Sequence, residues 1–169
     1  LDAALDRGYY EGLTQRAQPL EYAVGAPFRS LMANLIDRIN LVWLLRYRFN
    51  YRLPPAQVYY LLIGSHYSLP GARLQELAAL DSLEAVLAAL PQVWQKPLSG
   101  ATDIPDVFAR MDRLAAAQAQ KVLRSRAPDI ARAFAYLILR ERDLRAVRAV
   151  LRGHHLGLAE GEIRQALQR

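Results

Sequence analysis

Residues 27–49 read PFRSLMANLIDRINLVWLLRYRF and carry a long helical pattern that begins behind a proline. Five apolar side chains recur in it at intervals of three or four residues: Leu31, Leu35, Ile39, Val42 and Leu45. Side chains at these intervals lie on one face of an α-helix, so we predict an amphipathic helix from Phe28 to about Phe49. Pro27 suits the first helical turn, because the N–H group that proline lacks has no helical partner there.

Helical patterns continue on both sides of this stretch. We predict further helices over residues 2–17, 55–63, 71–80, 82–90, 105–126, 128–152 and 159–167, and a loop over residues 91–100. Asp81 and Glu84 have the spacing of a capping box before the 82–90 helix. No segment is a convincing strand, so we predict an all-α fold of packed helices.

The composition favours the same fold class. Leu (29) and Ala (27) make up a third of the 169 residues, whereas Val, Ile and Thr together contribute 18. The chain has no Cys, which excludes disulfides, thiolate metal sites and cysteine nucleophiles. Its formal net charge is +6, and 20 of its 22 cationic side chains are Arg. A charge of this size favours an acidic partner or surface.

Polar and aromatic residues alternate over residues 46–52, which read RYRFNYR. Alternation of this kind is typical of a strand, and alternating arginines and rings also suit stacking on nucleic acid. The interpretation we favour is a helix end, at which arginines meet carbonyl groups and the rings cover neighbouring helices. Seven residues between a helical pattern and the Pro54-Pro55 pair leave little room for a sheet.

The chain also contains an internal pattern repeat. A shift of 105 residues carries Ile39, Val42 and Leu45 onto Leu144, Val147 and Val150. Each copy consists of a long helix with a basic end, a short break and a short amphipathic helix, so we expect residues 36–62 and 141–167 to superpose. We predict a single helical region with about one and a half pseudo-repeats, one over 1–100 and part of the next over 101–169; the alternative is a chance coincidence of two helix–break–helix units. We expect such a chain to be a fragment of a longer protein.

Signatures of catalysis are sparse. The nine glycines form no phosphate-binding loop, and the acid pairs Asp2/Asp6 and Asp103/Asp106 lie at predicted helix starts, where acids stabilise free N–H groups. His154 and His155 are adjacent, so on a helix they point about 100° apart and do not chelate one ion as an i,i+4 pair does. We expect no catalytic residue, no metal site and no cofactor.

Four arginines form what we call the arginine face: Arg142, Arg145, Arg148 and Arg152. They fall within about 120° of arc on the predicted helix. With Arg46 and Arg48 they are candidates for docking an acidic partner; the alternative is an ordinary solvated face with intramolecular partners. Beside them runs an apolar stripe, which we expect to hold the helix to its own core: Leu137, Leu144, Val147 and Leu151.

Two polar residues lie inside the long helical pattern of residues 27–49. Asp37 and Asn40 are three residues apart, and Asn lowers helix propensity in a helix interior. We favour a structural polar network that fixes helix register; the alternative is a specific contact with a partner.

Motifs near the C-terminus resemble those of a known family. Residues 136–153 read YLILRERDLRAVRAVLRG, and they are followed by Leu156-Gly-Leu158 and by EIRQAL at 162–167. This segment resembles the C-terminus of the C-subunit family of V/A-type ATPases, called the d-subunit in vacuolar enzymes. In that family, a helix that begins with an acidic residue is followed by a glycine, a Gly-Leu pair and a final I-R-x-x-L motif.

Upstream segments are similar to the same family. Residues 37–41 (DRINL) with Arg46 resemble its D-x-x-N…R motif, and residues 2–10 (DAALDRGYY) resemble its ALD…Y helix. The Leu69-Pro-Gly71 turn resembles its P-G-G segment, although Ala72 stands where the family has a second glycine. Four motifs in the family's order cover most of the chain.

The resemblance implies an all-helical protein of three similar units arranged as a funnel, of which this chain would be the C-terminal half. It implies a non-catalytic central-stalk protein that links the shaft of a rotary ATPase to its membrane rotor ring, for proton or sodium transport. The partners would be the shaft subunits and the ring, without nucleic acid. The location would be cytoplasmic and peripheral to the membrane, without insertion.

Two other classes of protein fit parts of the pattern. A basic helical nucleic-acid-binding module would use the +6 charge and the 46–52 segment, but no helix-turn-helix spacing is present. A helical scaffold would explain the fold without explaining the ordered motifs.

Overall fold

The computed structural model describes the backbone of residues 2–168 and the side chains of residues 4–164, and all regular structure in this part of the chain is helical. The all-α prediction is confirmed there. The helices are α1 (Asp2–Val24), α2 (Ala26–Leu45), α3 (Pro55–Leu61), α4 (Gly71–Ala78), α5 (Leu83–Ala89), α6 (Gln92–Leu98), α7 (Ile104–Arg124), α8 (Asp129–His155) and α9 (Glu160–Gln168).

Helix α2 is the central element, because it contributes side chains to both hydrophobic cores. The first core joins the C-terminal half of α2 to α3 through α7, around side chains such as Leu44, Leu77 and Trp94. The second joins the N-terminal half of α2 to α1, α7 and α8, around Met32 and Ala135. Because α2 is buried on several sides, it fixes the positions of the helices that pack on it.

The α1–α2 corner depends on one glycine. Gly25 has φ of 86°, a left-handed conformation that side chains with a Cβ rarely adopt, and Pro27 follows in the first turn of α2. The predicted end of α1 at residue 17 is wrong, since the helix runs on through Pro19 to Val24. Burial of Ala17 and Val24 against α2 explains why the helix continues past the proline.

The presence of α6 and the end of α8 also differ from the predictions, because burial in the tertiary structure outweighs the prolines and glycines that locally disfavour a helix. The predicted loop over residues 91–100 contains α6, whose Trp94 and Leu98 are buried in the first core. Helix α8 runs through Gly153 to His155 instead of ending before the glycine. At the start of α5 the N-cap is Ser82, which accepts a hydrogen bond from Ala85 N–H at 3.1 Å, and not Asp81.

The alternating segment after α2 is helical. Arg46–Asn50 forms a π-helical turn that continues α2, which agrees with the helix-end interpretation and not with a strand. Arg52 then adopts φ of 55°, and the chain turns into α3.

Helix boundaries follow the 105-residue offset of the sequence pattern. The turn after α2 ends at Asn50 and α8 ends at His155, while α3 begins at Pro55 and α9 begins at Glu160. Val58 and Ile163, which correspond under the same offset, are both buried. Superposition of the two backbones stays a prediction.

Gly153 lets α9 pack closely on α8. A Cβ atom at this position would lie 2.6 Å from Cγ1 of Ile163, which is too close for two carbon atoms. We predict that Gly153→Ala lowers the free energy of unfolding by about 1–3 kcal/mol through overpacking, and speeds amide hydrogen exchange in α9. The matched control is Gly161→Ala, where a Cβ meets nothing within 4 Å. Unchanged exchange in α9 of the Gly153 variant would show that the contact does not hold the helix.

Candidate docking surface on helix α8

One carboxylate on α7 gathers three arginines. Asp112 Oδ1 accepts hydrogen bonds from Arg38 Nη1 at 2.7 Å and from Arg145 Nη2 at 2.8 Å. Its Oδ2 accepts from Arg142 Nε at 3.1 Å. The carboxylate therefore joins α2, α7 and α8 at a single point, and half of the arginine face is directed at it.

The cluster around Asp112 holds more positive than negative charge. Arg38 is 5% exposed, and burial, with the neighbouring Arg145 charge, lowers the pKa of its guanidinium from the ordinary value. The Phe108 ring lies one turn before Asp112, with its centroid 5.8 Å from Cζ of Arg38 and 5.6 Å from Cζ of Arg145. Glu141 Oε1 lies 3.6 Å from Arg145 Nε and offsets part of the remaining charge.

The other half of the arginine face borders an open groove. Arg148 and Arg152 are exposed, and they make no hydrogen bond or ion pair with the residues that the structure describes. Together with Arg145 they line a groove of about 400 Å³ between α8 and α9, whose other wall is apolar and includes Leu156, Leu158 and Ile163. Arginines that have no partner in the described part of the chain, beside an apolar wall, suit an anionic group attached to an apolar body.

Arg46 and Arg48 lie apart from the arginine face. Arg48 donates to the carbonyl oxygens of Leu53 at 3.2 Å and Leu80 at 3.1 Å, and its Nη2 lies 3.4 Å from Asp81 Oδ1. These contacts fasten the turn after α2 to the end of α4. Arg46 is exposed and joins neither the Asp112 cluster nor the groove.

The apolar stripe of α8 does not hold the helix to its core, so that expectation is wrong. Leu137, Leu144, Val147 and Leu151 are between 48% and 63% exposed. The face of α8 that packs on α2 and α7 instead carries small residues, Ala131 and Ala135, with Ile138 beside them. Further along the same side of α8, Arg142 and Arg145 contact Asp112.

Asp37 and Asn40 both bond to the segment between α3 and α4. Asn40 is fully buried; its Nδ2 donates to the Ile63 carbonyl at 3.0 Å, and its Oδ1 accepts from Ile63 N–H at 2.8 Å. Asp37 accepts from the backbone N–H groups of Ser68 and Leu69, each at 3.2 Å. Burial raises the pKa of the Asp37 carboxyl, although these hydrogen bonds oppose the shift.

A second buried carboxylate fastens the same segment to α1. Glu21 is 8% exposed and accepts a hydrogen bond from the Tyr67 hydroxyl, while His66 Nε2 lies 3.2 Å from its other oxygen. Burial, with the Glu21 hydrogen bond, raises the pKa of Tyr67. The segment between α3 and α4 is thus held by polar side chains from two helices.

Sequence reasoning missed the residues that organise the site. Arg38, Phe108 and Asp112 had no assigned role, because the partners are 30 to 74 positions apart in the chain. A local signal did exist on α7, since Phe108 and Asp112 are an i,i+4 pair and share one helix face. Nothing in the sequence shows which distant helix that face meets.

These features define a class: an arginine-rich, all-helical protein whose buried polar side chains join helices to one another. The described residues contain no group of three or more His, Asp or Glu side chains arranged to hold a metal ion. None of the helices in this part of the chain has both the length and the apolar character needed to cross a bilayer.

The family follows from comparison with known proteins. The family model described as ATP synthase (C/AC39) subunit matches residues 1–166, so the chain belongs to this family, the C-subunit family of V/A-type ATP synthases. The family places it among the parts of an ion-transporting rotary motor. No curated protein and no solved structure matches the chain.

Removing the Asn40 amide should destabilise the fold. Asn40→Ala leaves the N–H and C=O groups of Ile63 buried without partners, so we predict a loss of about 2–5 kcal/mol in the free energy of unfolding. Urea unfolding measures it, with Asn50→Ala as the control, since Asn50 is exposed at the end of the turn after α2. Equal stability of the two variants would contradict the anchoring role.

Neutralising Asp112 should leave Arg38 as an uncompensated buried charge. We predict that Asp112→Asn lowers the free energy of unfolding by about 3–5 kcal/mol. The control is Asp143→Asn, because Asp143 pairs only with exposed Arg140 at 3.5 Å among the described residues. Adding Arg38→Met to the Asp112 variant should recover stability, since the buried charge is then gone; no recovery would refute this explanation.

Proposed function

We propose that the protein is a non-catalytic coupling subunit of a V/A-type rotary ATPase, which links the central shaft to the membrane rotor ring. The observation that carries the proposal is the family match over residues 1–166. In such a role the protein contacts a membrane complex from the cytoplasmic side without inserting, and it moves protons or sodium ions only through its complex.

The buried hydrogen bonds that join one helix or loop to another support a coupling role. A part that transmits torque must resist relative motion of its helices, and directional hydrogen bonds between buried groups add to the resistance of the close-packed cores. Asp112 joins three helices, and Asn40 and Glu21 each fix the segment between α3 and α4. None of these groups needs a substrate or a cofactor to act in this way.

The arginines that have no partner among the described residues support a binding partner that carries negative charge. Arg148 and Arg152 border the groove without an intramolecular anion among the described residues, so a carboxylate of a partner protein can form bidentate pairs with them. Arg142 and Arg145 already bind Asp112, and Arg48 already binds carbonyl groups. We therefore propose Arg148 and Arg152 as the main docking cations, with Arg46 as a further exposed candidate.

The internal use of Arg48 also weakens the nucleic-acid alternative. A stacking platform needs its arginines and rings facing solvent, but Arg48 is directed at the backbone of Leu53 and Leu80.

Docking through Arg148 and Arg152 has a direct test in the assembled ATPase. We predict that the double variant Arg148→Gln, Arg152→Gln incorporates less well into the complex of shaft and ring, and that raising salt lowers wild-type incorporation toward the variant's level. Both side chains are exposed and have no partner among the described residues, so the melting temperature should stay unchanged. Co-purification of the shaft and ring proteins with the tagged protein measures incorporation.

The matched control removes the same charge elsewhere. Arg124 and Arg126 lie at the end of α7 and just after it, and changing both to Gln should leave incorporation at the wild-type level. Equal incorporation of both double variants and wild type would remove the docking role of the arginine face. Steep, salt-dependent binding of the wild-type protein to nonspecific DNA would instead favour the nucleic-acid alternative.

A further inference from the structure

The groove between α8 and α9 has a counterpart in the first copy of the pattern repeat. Three apolar residues of the groove lie 105 positions after residues of the corner between α2 and α3: Ala149 after Leu44, Leu158 after Leu53 and Ile163 after Val58. In the first copy Leu44 and Val58 are fully buried, and Leu53 packs against the same core. In the second copy Ala149 and Leu158 are exposed. Among the described residues, the same apolar surface is therefore covered in one copy and uncovered in the other.

Helix α4 contributes the cover of the α2–α3 corner. Its Leu74 and Leu77 lie three residues apart on one face of the helix, and both are buried in the same core as Leu44 and Val58. Another side of α4 carries Glu76, which is exposed. A short amphipathic helix is thus the kind of element that covers these positions in this fold.

An arginine fixes the end of this covering helix. Arg48, in the turn after α2, donates a hydrogen bond to the carbonyl oxygen of Leu80 at 3.1 Å, and the same Nη2 lies 3.4 Å from Oδ1 of Asp81. Carbonyl groups at the end of a helix carry partial negative charge. The first copy therefore already pairs a cation at the end of its long helix with negative groups of the covering segment.

The groove carries cations where the α2–α3 corner carries aromatic rings. Arg148 and Arg152 stand at the positions of Trp43 and Tyr47, and those rings pack against the first core. The two guanidinium groups belong to residues one helical turn, or about 6 Å, apart. Covering them with leucine side chains alone would remove their hydration without compensation. A helix that covers them therefore needs acidic residues at a matching spacing.

Acidic residues in the described part of the chain do not meet this need. The residues that line the groove include no Asp or Glu, and neither do the positions three and four residues away from Arg148 or Arg152 on α8. On α9, Glu162 instead accepts a hydrogen bond from Ala159 N–H at 2.9 Å, at the start of its own helix. The charge of the groove is thus complementary to an acidic partner.

We propose that the groove binds a short amphipathic helix of a partner protein, which carries two leucines three residues apart and, beside them, two acidic residues one turn apart. The leucines contact Leu156, Leu158 and Ile163, and the acids form bidentate pairs with Arg148 and Arg152. The proposal deepens the proposed function by naming the chemistry of the partner, and it rests on that function only for the partner being another member of the ATPase complex.

A peptide based on α4 tests the groove without the complex. It has the sequence of residues 70–82 with Arg73→Glu, so that acids at positions 73 and 76 lie beside Leu74 and Leu77, and a lactam bridge between positions 75 and 79 keeps it helical. The matched control peptide has Lys at positions 73 and 76. We expect the acidic peptide to bind the full chain, in a fluorescence anisotropy titration at low salt, at least about tenfold more tightly than the lysine peptide. Equal affinities, or no binding of the acidic peptide, would overturn the proposal.

Two double variants of the chain locate the binding surface. Leu156→Gln with Leu158→Gln should weaken binding of the acidic peptide by about tenfold or more. Both side chains are exposed, so the melting temperature should stay unchanged. Leu137→Gln with Leu144→Gln, two exposed leucines on another side of α8, should leave the affinity unchanged. Equal effects of the two double variants on peptide binding would contradict the assignment of the groove.

Two other results would identify a different cover for the groove. A clear fall in the melting temperature of the Leu156 and Leu158 variant would mean that these leucines support the fold of the chain itself. A dimer in light scattering that this variant abolishes would mean that a second copy of the chain covers the groove. Either result would overturn the proposal.

The failures of the two proposals are distinguishable. Weak incorporation of the Arg148 and Arg152 variant into the ATPase, without peptide binding, would keep the docking role and overturn the helix-binding groove. Peptide binding with normal incorporation of that variant would keep the helix-binding groove and overturn docking through the arginine face.

Discussion

The carboxylate of Asp112 is the constraint on which the arrangement of the long helices depends. It is 15% exposed and accepts hydrogen bonds from arginines on both α2 and α8, while its own helix, α7, packs on each of them. A buried guanidinium such as that of Arg38 is tolerable only with an anion in contact, so the three helices have one register in which that charge is neutralised.

The hydrogen bonds of the buried polar side chains and the packing of the apolar cores stabilise different features of the fold. The two cores bury side chains from helices α1 through α8, and they provide the bulk of the stability. Asn40, Asp37 and Glu21 act at single points on the segment between α3 and α4, which has no helix of its own to hold its backbone in place. Directional bonds at those points hold this segment against both α1 and α2.

Helix α8 has two sides with opposite roles, and the structure reverses the roles that the sequence pattern predicts. Its leucine-rich stripe looks like a core face by composition, and its arginines look like a solvent face. In the structure alanines and two arginines face inward, and the leucines face outward. The reversal has a physical reason: α7 offers an anion, Asp112, and an aromatic ring, Phe108, so Arg142 and Arg145 turn inward to the carboxylate.

The sequence by itself determined the fold class, the family and the order of every helix but α6, because helical spacing, proline and glycine positions and ordered motifs are local properties. It also indicated that Asp37 and Asn40 are unusual, since polar residues inside the apolar stripe of a helix lower its helix propensity and no neighbour in the sequence compensates for that loss. It misjudged α6 and the ends of α1 and α8, where burial of Trp94, Val24 and Gly153 outweighs local breakers. Only the tertiary structure decided which arginines have partners among the described residues and which side of α8 is exposed there, because a side chain's partner 30 to 74 residues away in the chain leaves no local sequence signal.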